Sequence, residues 1–513
     1  QGYITQNEYN SAINEPIITA DKTNTLLNGT LTAKACEFYI SQAQKEVCEA
    51  LGLTKTQLNN SGMKIYTNLD VTLQAELEKQ RLSADNFESD NIGSVSIVLD
   101  NATGAVLAYS STYPYAISRQ AGSVLKPLAV YAPAIDKGLI SLATPIIDEQ
   151  VNFGGYSPNN YGGIYYGDTT VREAIKKSMN SVSVKVLDYL GIDASAAYLA
   201  KLGIDISDAD KSYALALGAT SSGVSPLTIA CGYMSLARGG NYVKPSFVKY
   251  IWKNGRKTIL GRTDDISGLR TGEPETKDIF LKSTAELLTS ALADTVKDGT
   301  AKTLGSLPFT VASKTGTAER SRGGNSDAWN ASYNSQYTVL VWHGSDDGMS
   351  EKGGGYPTRH ALKIWRALDN SNHIYRSFLP FENVISQEID VYSTKQSRKV
   401  VASTQNTPLE YRKTELFALD NLPDYDGSKF DIMSPTSMTV ENLSGKIRIA
   451  FDSEKVYVYE LYRKDITGTK CLYSGIGTGD EISITDRPIT FDGKVDYTLI
   501  CSLKNNEEVS ATT

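Results

Sequence analysis

The chain has 513 residues, which is too long for one ordinary domain and predicts two or more. Its hydrophobic content of 41% and charged content of 21% are typical of a folded protein and exclude a disordered one. A net charge of -7 leaves no basic surface for nucleic acid, so we expect no nucleic-acid partner.

The sequence contains no stretch of roughly 18 consecutive apolar residues, the length that spans a membrane. The chain starts at Gln1 rather than Met, and no basic segment followed by an apolar one stands at its N-terminus. We therefore expect a piece of a longer precursor, from which any anchor or signal has been removed.

The first predicted elements form a lead-in and a linker. Apolar residues recur at helical spacing over 33–51, and Gly52 ends the pattern. Lys64-Ile-Tyr-Thr67 is typical of a strand, and Asp70 is a candidate N-cap for the short helix that follows. We assign the lead-in to residues 1–61 and the linker to residues 62–90.

Residues 91–370 carry the pattern of one mixed domain, which begins with a predicted hairpin over 94–110. Helical spacing follows at 123–137, 171–190, 225–239, 283–297 and 357–369, and strand-like runs at 309–313, 328–333 and 337–342. Because strands come first and last with helices between them, we predict one antiparallel sheet with helices packed on it, an α+β fold.

The C-terminal part is predicted to be a small β-sandwich. Residues 371–430 are polar, and we interpret them as a linker. Over 431–513 apolar residues alternate at period two, with glycine-containing turns between the runs. Cys471 and Cys501 lie here, and their spacing leaves open whether they pair. The five cysteines form no C-x-x-C pair or zinc-type cluster, so we expect no structural metal. We also expect no cofactor.

Ser123-Val-Leu-Lys126 opens a helix that is apolar all round and is therefore predicted to be buried. Residues three positions apart share a helix face, so the lysine amine can reach the serine hydroxyl. Burial disfavours the charged ammonium, and an uncharged Lys126 can accept the proton of Ser123. The alternative is a helix cap followed by a lysine whose amine stays in solvent.

Lys314-Thr-Gly-Thr317 follows the predicted strand 309–313. A glycine in a strand often marks the close approach of another backbone, and a peptide could lie along such an edge by β-augmentation. Lys314 would supply charge and Thr315 a hydroxyl for a carboxylate. The alternative is an ordinary turn.

Ser178-Met-Asn180 comes from Val171-Arg-Glu-Ala-Ile-Lys-Lys-Ser, a predicted helix whose end could present Ser178 and Asn180 to one cavity. Ser178 would relay a proton, and the Asn180 amide would hold a peptide carbonyl. The same pattern occurs at Ser157 and Ser332, so only its position between the other two motifs distinguishes this copy.

The order S-x-x-K, S-x-N, K-T-G resembles the transpeptidase domain of penicillin-binding proteins over about residues 91–370. The resemblance implies a fold like that of serine β-lactamases and penicillin-binding proteins. Further motifs are similar to the class A, bifunctional type: Tyr156-Ser-Pro-Asn-Asn160, Thr170-Val-Arg-Glu-Ala-Ile, Ala216-Leu-Gly, Gly223-Val-Ser-Pro-Leu227, Asp298-Gly-Thr-Ala301 and Asp327-Ala-Trp329.

The chain departs from the family pattern at three places. Ala121-Gly122 stands where the family often has Pro-Gly, and Asn330 and Ser332 replace an aromatic residue and a glycine. These changes bear on substrate preference more than on the reaction.

The N-terminal sequence resembles what precedes the transpeptidase in class A proteins. Gln1-Gly-Tyr-Ile-Thr-Gln-Asn-Glu-Tyr9 is similar to the end of the glycosyltransferase domain, and the segment from Lys64 to Gln74 looks like the linker between the two domains. Residues 1–61 are thus expected to hold a remnant of that domain, with the glycosyltransferase itself outside this chain.

The resemblance implies a penicillin-sensitive D,D-transpeptidase that cross-links peptidoglycan stem peptides and releases the terminal D-alanine. Ser123 attacks the carbonyl between the last two D-alanines, and backbone N–H groups of Ser123 and Thr317 form the oxyanion hole. The implied catalytic residues are Ser123, Lys126, Ser178, Asn180 and Lys314, and the implied substrate-binding residues are Thr315, Gly316 and Thr317.

Two other functions remain open from the sequence, and a Ser-His-Asp hydrolase is not favoured. A β-lactamase or carboxypeptidase shares the acylation step but uses water, and we find no segment comparable to the glutamate of class A lactamases. A non-catalytic sensor would keep the fold without the transfer. A Ser-His-Asp hydrolase needs a histidine near the nucleophile. We interpret His343, His360 and His373 as structural or surface residues.

The resemblance also sets expectations for partners and location. Stem peptides of lipid II-derived glycan strands and β-lactam antibiotics are the expected ligands, and cell-division or elongation proteins are possible partners. The enzyme would work outside the cytoplasm and be anchored to the membrane in its full-length form. For the C-terminal sandwich, a fibronectin type III-like spacer is preferred over a wall-binding lectin.

Overall fold

The computed structural model describes residues 34–253, 256–258, 276–320, 323–371, 374–431, 438–488, 494–504 and 506–512. The chain divides into two compact units. Apart from the short stretch Ala143–Pro145, which is grouped with the second unit, the first unit ends at Val384 and the second begins at Ile385. The segment 1–9 and His373, named above, lie outside the described residues.

The α-helices of the described residues are α1 (Glu37–Leu51), α2 (Lys55–Asn59), α3 (Val71–Arg81), α4 (Ala132–Asp136), α5 (Val171–Lys177), α6 (Asn180–Leu190), α7 (Ile192–Lys201), α8 (Pro226–Ala237), α9 (Lys282–Lys297), α10 (Tyr356–Ser371) and α11 (Val391–Ser397). The strands of the first unit are β1 (Lys64–Thr67), β2 (Gly93–Asp100), β3 (Val106–Ser111), β4 (Pro145–Asp148), β5 (Gly167–Thr170), β6 (Asn241–Val243), β7 (Val248–Lys253), β8 (Arg256–Thr258), β9 (Thr276–Asp278), β10 (Ala312–Glu319), β11 (Asn325–Tyr333) and β12 (Tyr337–Met349).

The N-terminal elements follow the sequence pattern. Helix α1 ends at Gly52, which adopts a left-handed conformation with φ of 65° that glycine tolerates best. The Asp70 side chain accepts a hydrogen bond from the Leu73 N–H at 2.9 Å and so caps α3, as predicted.

A five-stranded antiparallel sheet with the order β10-β11-β12-β2-β3 forms the centre of the first unit. The predicted hairpin supplies β2 and β3, and the three last strands join it at β12, which confirms the α+β fold. Strand β2 is buried along all but its last residue, because helices cover the sheet. Trp365 of α10, for example, packs in one cluster with Val98 of β2 and Val339 of β12.

The helix predicted over 123–137 is divided into three pieces. A 3-10 turn over Gly122–Leu125 is followed by a π-helical turn over Pro127–Tyr131 and then by α4. Pro127 lacks the N–H that would bond the Ser123 carbonyl, and the Lys126 N–H bonds that carbonyl instead. The two prolines at the starts of the later pieces account for the change of winding.

Two further predictions need correction. The segment 171–190 is two helices, α5 and α6, because Ser178 is left-handed with φ of 59° and ends α5. The strand predicted over 309–313 begins only at Ala312 and continues through the K-T-G motif to Glu319. Phe309 and Val311 alternate with exposed residues because they enter the core from a loop, not because they pair in a sheet.

The second unit contains the predicted sandwich. Its strands are β13 (Val384–Asp390), β14 (Arg412–Ala418), β15 (Met438–Asn442), β16 (Ile447–Asp452), β17 (Tyr457–Asp465), β18 (Gly468–Ile476), β19 (Glu481–Asp486), β20 (Asp496–Leu503) and β21 (Asn506–Thr512). One sheet has the order β15-β16-β19 and the other β18-β17-β20-β21, and a shared apolar cluster lies between them. This arrangement is a two-sheet β-sandwich.

The segment expected to be a polar linker, 371–430, contains regular structure. Strands β13 and β14 pair, and α11 lies between them in the chain. Phe430 is fully buried in the apolar cluster of the sandwich. The few apolar residues of this segment therefore suffice to pack it against a neighbour, which a composition average does not reveal.

Cys471 and Cys501 are both free thiols. Cys471 lies on β18 and Cys501 on β20, which flank β17 on opposite sides. Two strand spacings amount to about 9.5 Å, more than a disulfide spans. The geometry of the sheet thus settles the pairing that the spacing left open.

Candidate active site

The turn around Ser123 lies against the K-T-G strand. Gly122 has φ of 57°, and a Cβ there would collide with the Thr317 carbonyl. A Cβ on Gly316 would lie 2.8 Å from the Val124 nitrogen. The two glycines therefore allow the nucleophile turn and β10 to approach closely, which confirms the expected close backbone approach at Gly316.

Lys126 is completely buried and bonds to the S-x-N segment. Its Nζ donates to the Ser178 carbonyl at 2.8 Å, to the Met179 carbonyl at 3.2 Å and to the Asn180 Oδ1 at 2.6 Å, and it lies 3.5 Å from the Ser178 Oγ. These hydrogen bonds join the Lys126 amine to the start of α6.

The pKa of Lys126 lies well below its usual value. Burial is the main cause, because the charged form loses its hydration, and the positive charge of Lys314 lowers the pKa further. The Asp148 carboxylate acts in the opposite direction. A lowered pKa favours the uncharged amine, which is the form that a general base requires.

Ser178 joins the two lysines. The Lys314 Nζ donates to the Ser178 Oγ at 2.7 Å and to the Thr315 carbonyl at 2.9 Å. Burial lowers the pKa of Lys314 to about 7. The left-handed backbone of Ser178, which is unfavourable for a residue with a side chain, places its hydroxyl between both amines.

A groove of about 970 Å³ opens over these residues. Six of the eight predicted site residues line it: Ser123, Ser178, Asn180, Thr315, Gly316 and Thr317. Lys126 and Lys314 are fully buried and reach the groove through Ser178. Within the described residues, no group of three or more His, Cys, Asp or Glu side chains has the arrangement of a metal site.

Some residues that contact Thr315 and Asn180 at the groove were not predicted from the sequence. The Thr315 Oγ1 donates to the Thr300 Oγ1 at 2.8 Å, and Asn180 is held by Asn159 and Asn160. Their signal was present in the Asp298-Gly-Thr-Ala301 and Tyr156-Ser-Pro-Asn-Asn160 motifs. These motifs were interpreted only as features of the class A type.

The histidines take no part in this groove where the structure describes them. His343 and His360 are buried, and their Nε2 and Nδ1 atoms lie 3.0 Å apart. The interpretation of these two as structural residues is confirmed. Burial lowers the pKa of both rings.

The family model described as "Penicillin binding protein transpeptidase domain" matches residues 95–361, just over half of the chain. The chain therefore belongs to the penicillin-binding protein transpeptidase family, and its relatives include class A proteins.

Curated relatives agree with this assignment. The chain is 31% identical to penicillin-binding protein 1F of Bacillus subtilis over 353 residues, which cover 66% of this chain and 48% of that protein. It is 27% identical to penicillin-binding protein 1A of Clostridium botulinum, over 77% of this chain and 50% of that protein. The chain thus spans about half the length of the curated relatives it matches.

Solved structures share the fold. PonA1 from Mycobacterium tuberculosis is 22% identical with a TM-score of 0.58, over 68% of this chain and 98% of that one. Penicillin-binding protein 1A from Haemophilus influenzae is 18% identical with a TM-score of 0.60, over 82% of this chain and 80% of that one.

Proposed function

We propose that this chain is a penicillin-sensitive D,D-transpeptidase that cross-links peptidoglycan stem peptides through an acyl-enzyme on Ser123. The observation that carries the proposal is the convergence of Ser123, Ser178 and the K-T-G strand on one groove, with the buried Lys126, whose pKa is lowered, bonded to Ser178. A serine in such a groove is a nucleophile next to a base, and a strand edge beside it can hold an extended peptide.

Acylation begins when the Ser123 Oγ attacks the carbonyl between the last two D-alanines and its proton passes to the Lys126 Nζ. The N–H groups of Ser123 and Thr317 stabilise the oxyanion. The C–N bond then breaks, and the leaving amine takes a proton through Ser178, which lies between both lysines.

Deacylation reverses these roles. An amine of a neighbouring stem peptide attacks the ester carbonyl and gives up a proton to Lys126. The ester C–O bond breaks, and Ser123 is protonated again. A β-lactam would acylate Ser123 in the same way and stay attached, because its leaving group remains tethered to the acyl part.

Substrate positions follow from the same geometry. Thr315 and Thr317 flank Gly316 at the edge of the sheet and would hold the terminal carboxylate, and the close packing of Gly316 keeps that edge beside Ser123. Asn180 lines the same groove and would hold the peptide.

Labelling with a fluorescent penicillin tests the proposal. The wild-type chain should carry one label per molecule, and Ser123→Ala should carry none while keeping the same unfolding temperature. Ser89→Ala, an exposed serine outside the groove, is the matched control and should label normally. Equal labelling of Ser123→Ala would refute the assignment.

Assays of the same purified protein distinguish the alternative functions. Sustained turnover of a chromogenic cephalosporin would favour a β-lactamase. Stable labelling without exchange of a D-amino acid into a stem-peptide substrate would favour a sensor module.

The wider context is also a proposal. We infer an extracytoplasmic enzyme, membrane-anchored in full-length form, that acts on lipid II-derived glycan strands and has division or elongation proteins as possible partners. Among the described residues, no helix has the length and apolar character needed to cross a bilayer. We keep 1–61 as a glycosyltransferase remnant and lead-in, 62–90 as linker, 91–370 as transpeptidase domain and 431–513 as spacer. Strong retention of the isolated C-terminal part on purified cell wall would contradict the spacer role.

A further inference from the structure

Asp148, at the end of β4, is a buried carboxylate that no sequence motif singled out. It is 1% exposed. Its two oxygens accept hydrogen bonds from the Asn160 Nδ2 at 2.8 and 2.9 Å, from the Ser181 Oγ at 2.5 Å and from the Tyr166 N–H at 2.9 Å. Donors from three segments therefore hold this carboxylate in one place.

Asn160 connects Asp148 to the first turn of α6. The N-cap residue of α6, Met179, offers no side-chain acceptor, so the first N–H groups of the helix need another partner. The Asn160 Oδ1 accepts from the N–H of Asn180 at 2.7 Å and from that of Ser181 at 3.2 Å. Because its Nδ2 is bound to the Asp148 carboxylate, the Asn160 amide can face the helix only with its oxygen.

Asn180 carries the connection to Lys126. Its Nδ2 donates to the Asn159 carbonyl at 2.6 Å, which turns its Oδ1 toward the Lys126 Nζ at 2.6 Å. An unbroken series of hydrogen bonds thus runs from Asp148 through Asn160 and Asn180 to the Lys126 amine.

We propose that Asp148 is a positioning residue for acyl transfer, because through Asn160 it sets the first turn of α6 and hence the places of the Asn180 amide and the Lys126 amine. This inference rests on the proposed function, in which the Lys126 amine accepts the proton of Ser123. A carboxylate that served stability alone would leave the acylation rate of the folded protein unchanged when it is replaced.

The negative charge of Asp148 gives a second way to test its effect on Lys126. Lys314 from β10 and Asp148 from β4 are the charged groups that act on Lys126, and they shift its pKa in opposite directions. Asp148 is also faced by the Tyr131 hydroxyl, whose pKa is raised mainly by burial. Removing the negative charge of Asp148 therefore lowers the pKa of Lys126 further.

The test is the second-order rate of acylation by a fluorescent penicillin between about pH 5 and 9, in the full chain. Asp148→Asn should acylate at least tenfold more slowly than wild type, and the acidic limb of its pH profile should move to lower pH. Asp136→Asn is the matched control, since Asp136 likewise accepts a backbone N–H and a side-chain hydroxyl but lies outside the series. It should stay within twofold of wild type.

Asn160→Ala keeps the inference falsifiable if Asp148→Asn does not fold. It should lose at least tenfold in rate with an unmoved acidic limb, and the double variant should be no slower than the slower single one, because both act through one connection. The inference is overturned if either Asn160→Ala or Asp148→Asn is acylated within twofold of the wild-type rate. It is also overturned if Asp148→Asn is acylated slowly but the acidic limb of its pH profile does not move.

In these cases the wild-type protein is still acylated. If the wild-type protein formed no adduct, the proposed function itself would be overturned.

Discussion

The Oγ of Ser178 and the Nζ of Lys314 lie 2.7 Å apart, although 136 positions separate the two residues in the chain. The same hydroxyl lies 3.5 Å from the Lys126 Nζ. In the proposed mechanism, Ser178 therefore passes a proton between Lys126 and the leaving amine.

Ser178→Ala should slow acylation by a penicillin by about 100-fold, the usual size of a lost proton-transfer group. The measurement is the second-order acylation rate with the unfolding temperature monitored in parallel. Ser222→Ala, an exposed serine, should leave both values unchanged. A rate within twofold of wild type would show that Ser178 carries no proton.

Lys314→Gln should move the acidic limb of the acylation profile to higher pH. The positive charge of Lys314 lowers the pKa of Lys126, so its removal lets Lys126 hold a proton to higher pH. The rate is measured from about pH 5 to 9, with Lys176→Gln, an already ion-paired lysine, as control. A limb that stays in place or moves to lower pH would contradict the coupling.

Gly316→Ala should destabilise the protein by about 1–3 kcal/mol and slow acylation, because the added methyl would lie 2.8 Å from the Val124 nitrogen and 3.0 Å from the Ala121 carbonyl oxygen. Gly355→Ala is the matched control, since a Cβ there meets no atom within 4 Å. Urea unfolding gives the free energies. Equal stability of the two variants would mean that β10 can move away from the nucleophile turn without loss.

Trp329→Phe should cost about 1–3 kcal/mol of unfolding free energy. The Trp329 Nε1 donates to the Gln120 carbonyl at 2.8 Å, three residues before Ser123, and phenylalanine cannot replace this donor. We also expect slower acylation, because Gln120 leads directly into the nucleophile turn. Trp252→Phe, at a 41% exposed position, should change neither quantity.

The buried pair His343 and His360 should make the first unit sensitive to acid. Burial lowers the pKa of His360 to about 3, so the folded state keeps the ring neutral while the unfolded state protonates below its ordinary pKa of 6.5. Stability is therefore complete above that value and falls with decreasing pH, by roughly 3 kcal/mol over two units. Thermal unfolding should show a shallower decline in His360→Gln, and an equally steep one would exclude this origin.

How much the sequence predicts depends on the range of the interactions involved. The caps at Asp70 and Gly52 and the alternation in the sandwich are local, and these predictions are confirmed. The strand placed at 309–313 was wrong because alternating burial also arises in a loop that enters a core.

The sequence by itself determined the candidate reactive groups, since S-x-x-K, S-x-N and K-T-G occur in the order that is typical of the family. Only the tertiary structure decided which atoms meet. In it, the Lys126 amine bonds to Asn180 at the start of α6, the helix is interrupted at Ser178, and the buried Asp148 bonds to Asn160. The reason is physical. A side chain's identity is written at one position, whereas desolvation and hydrogen bonding depend on segments that only folding brings together.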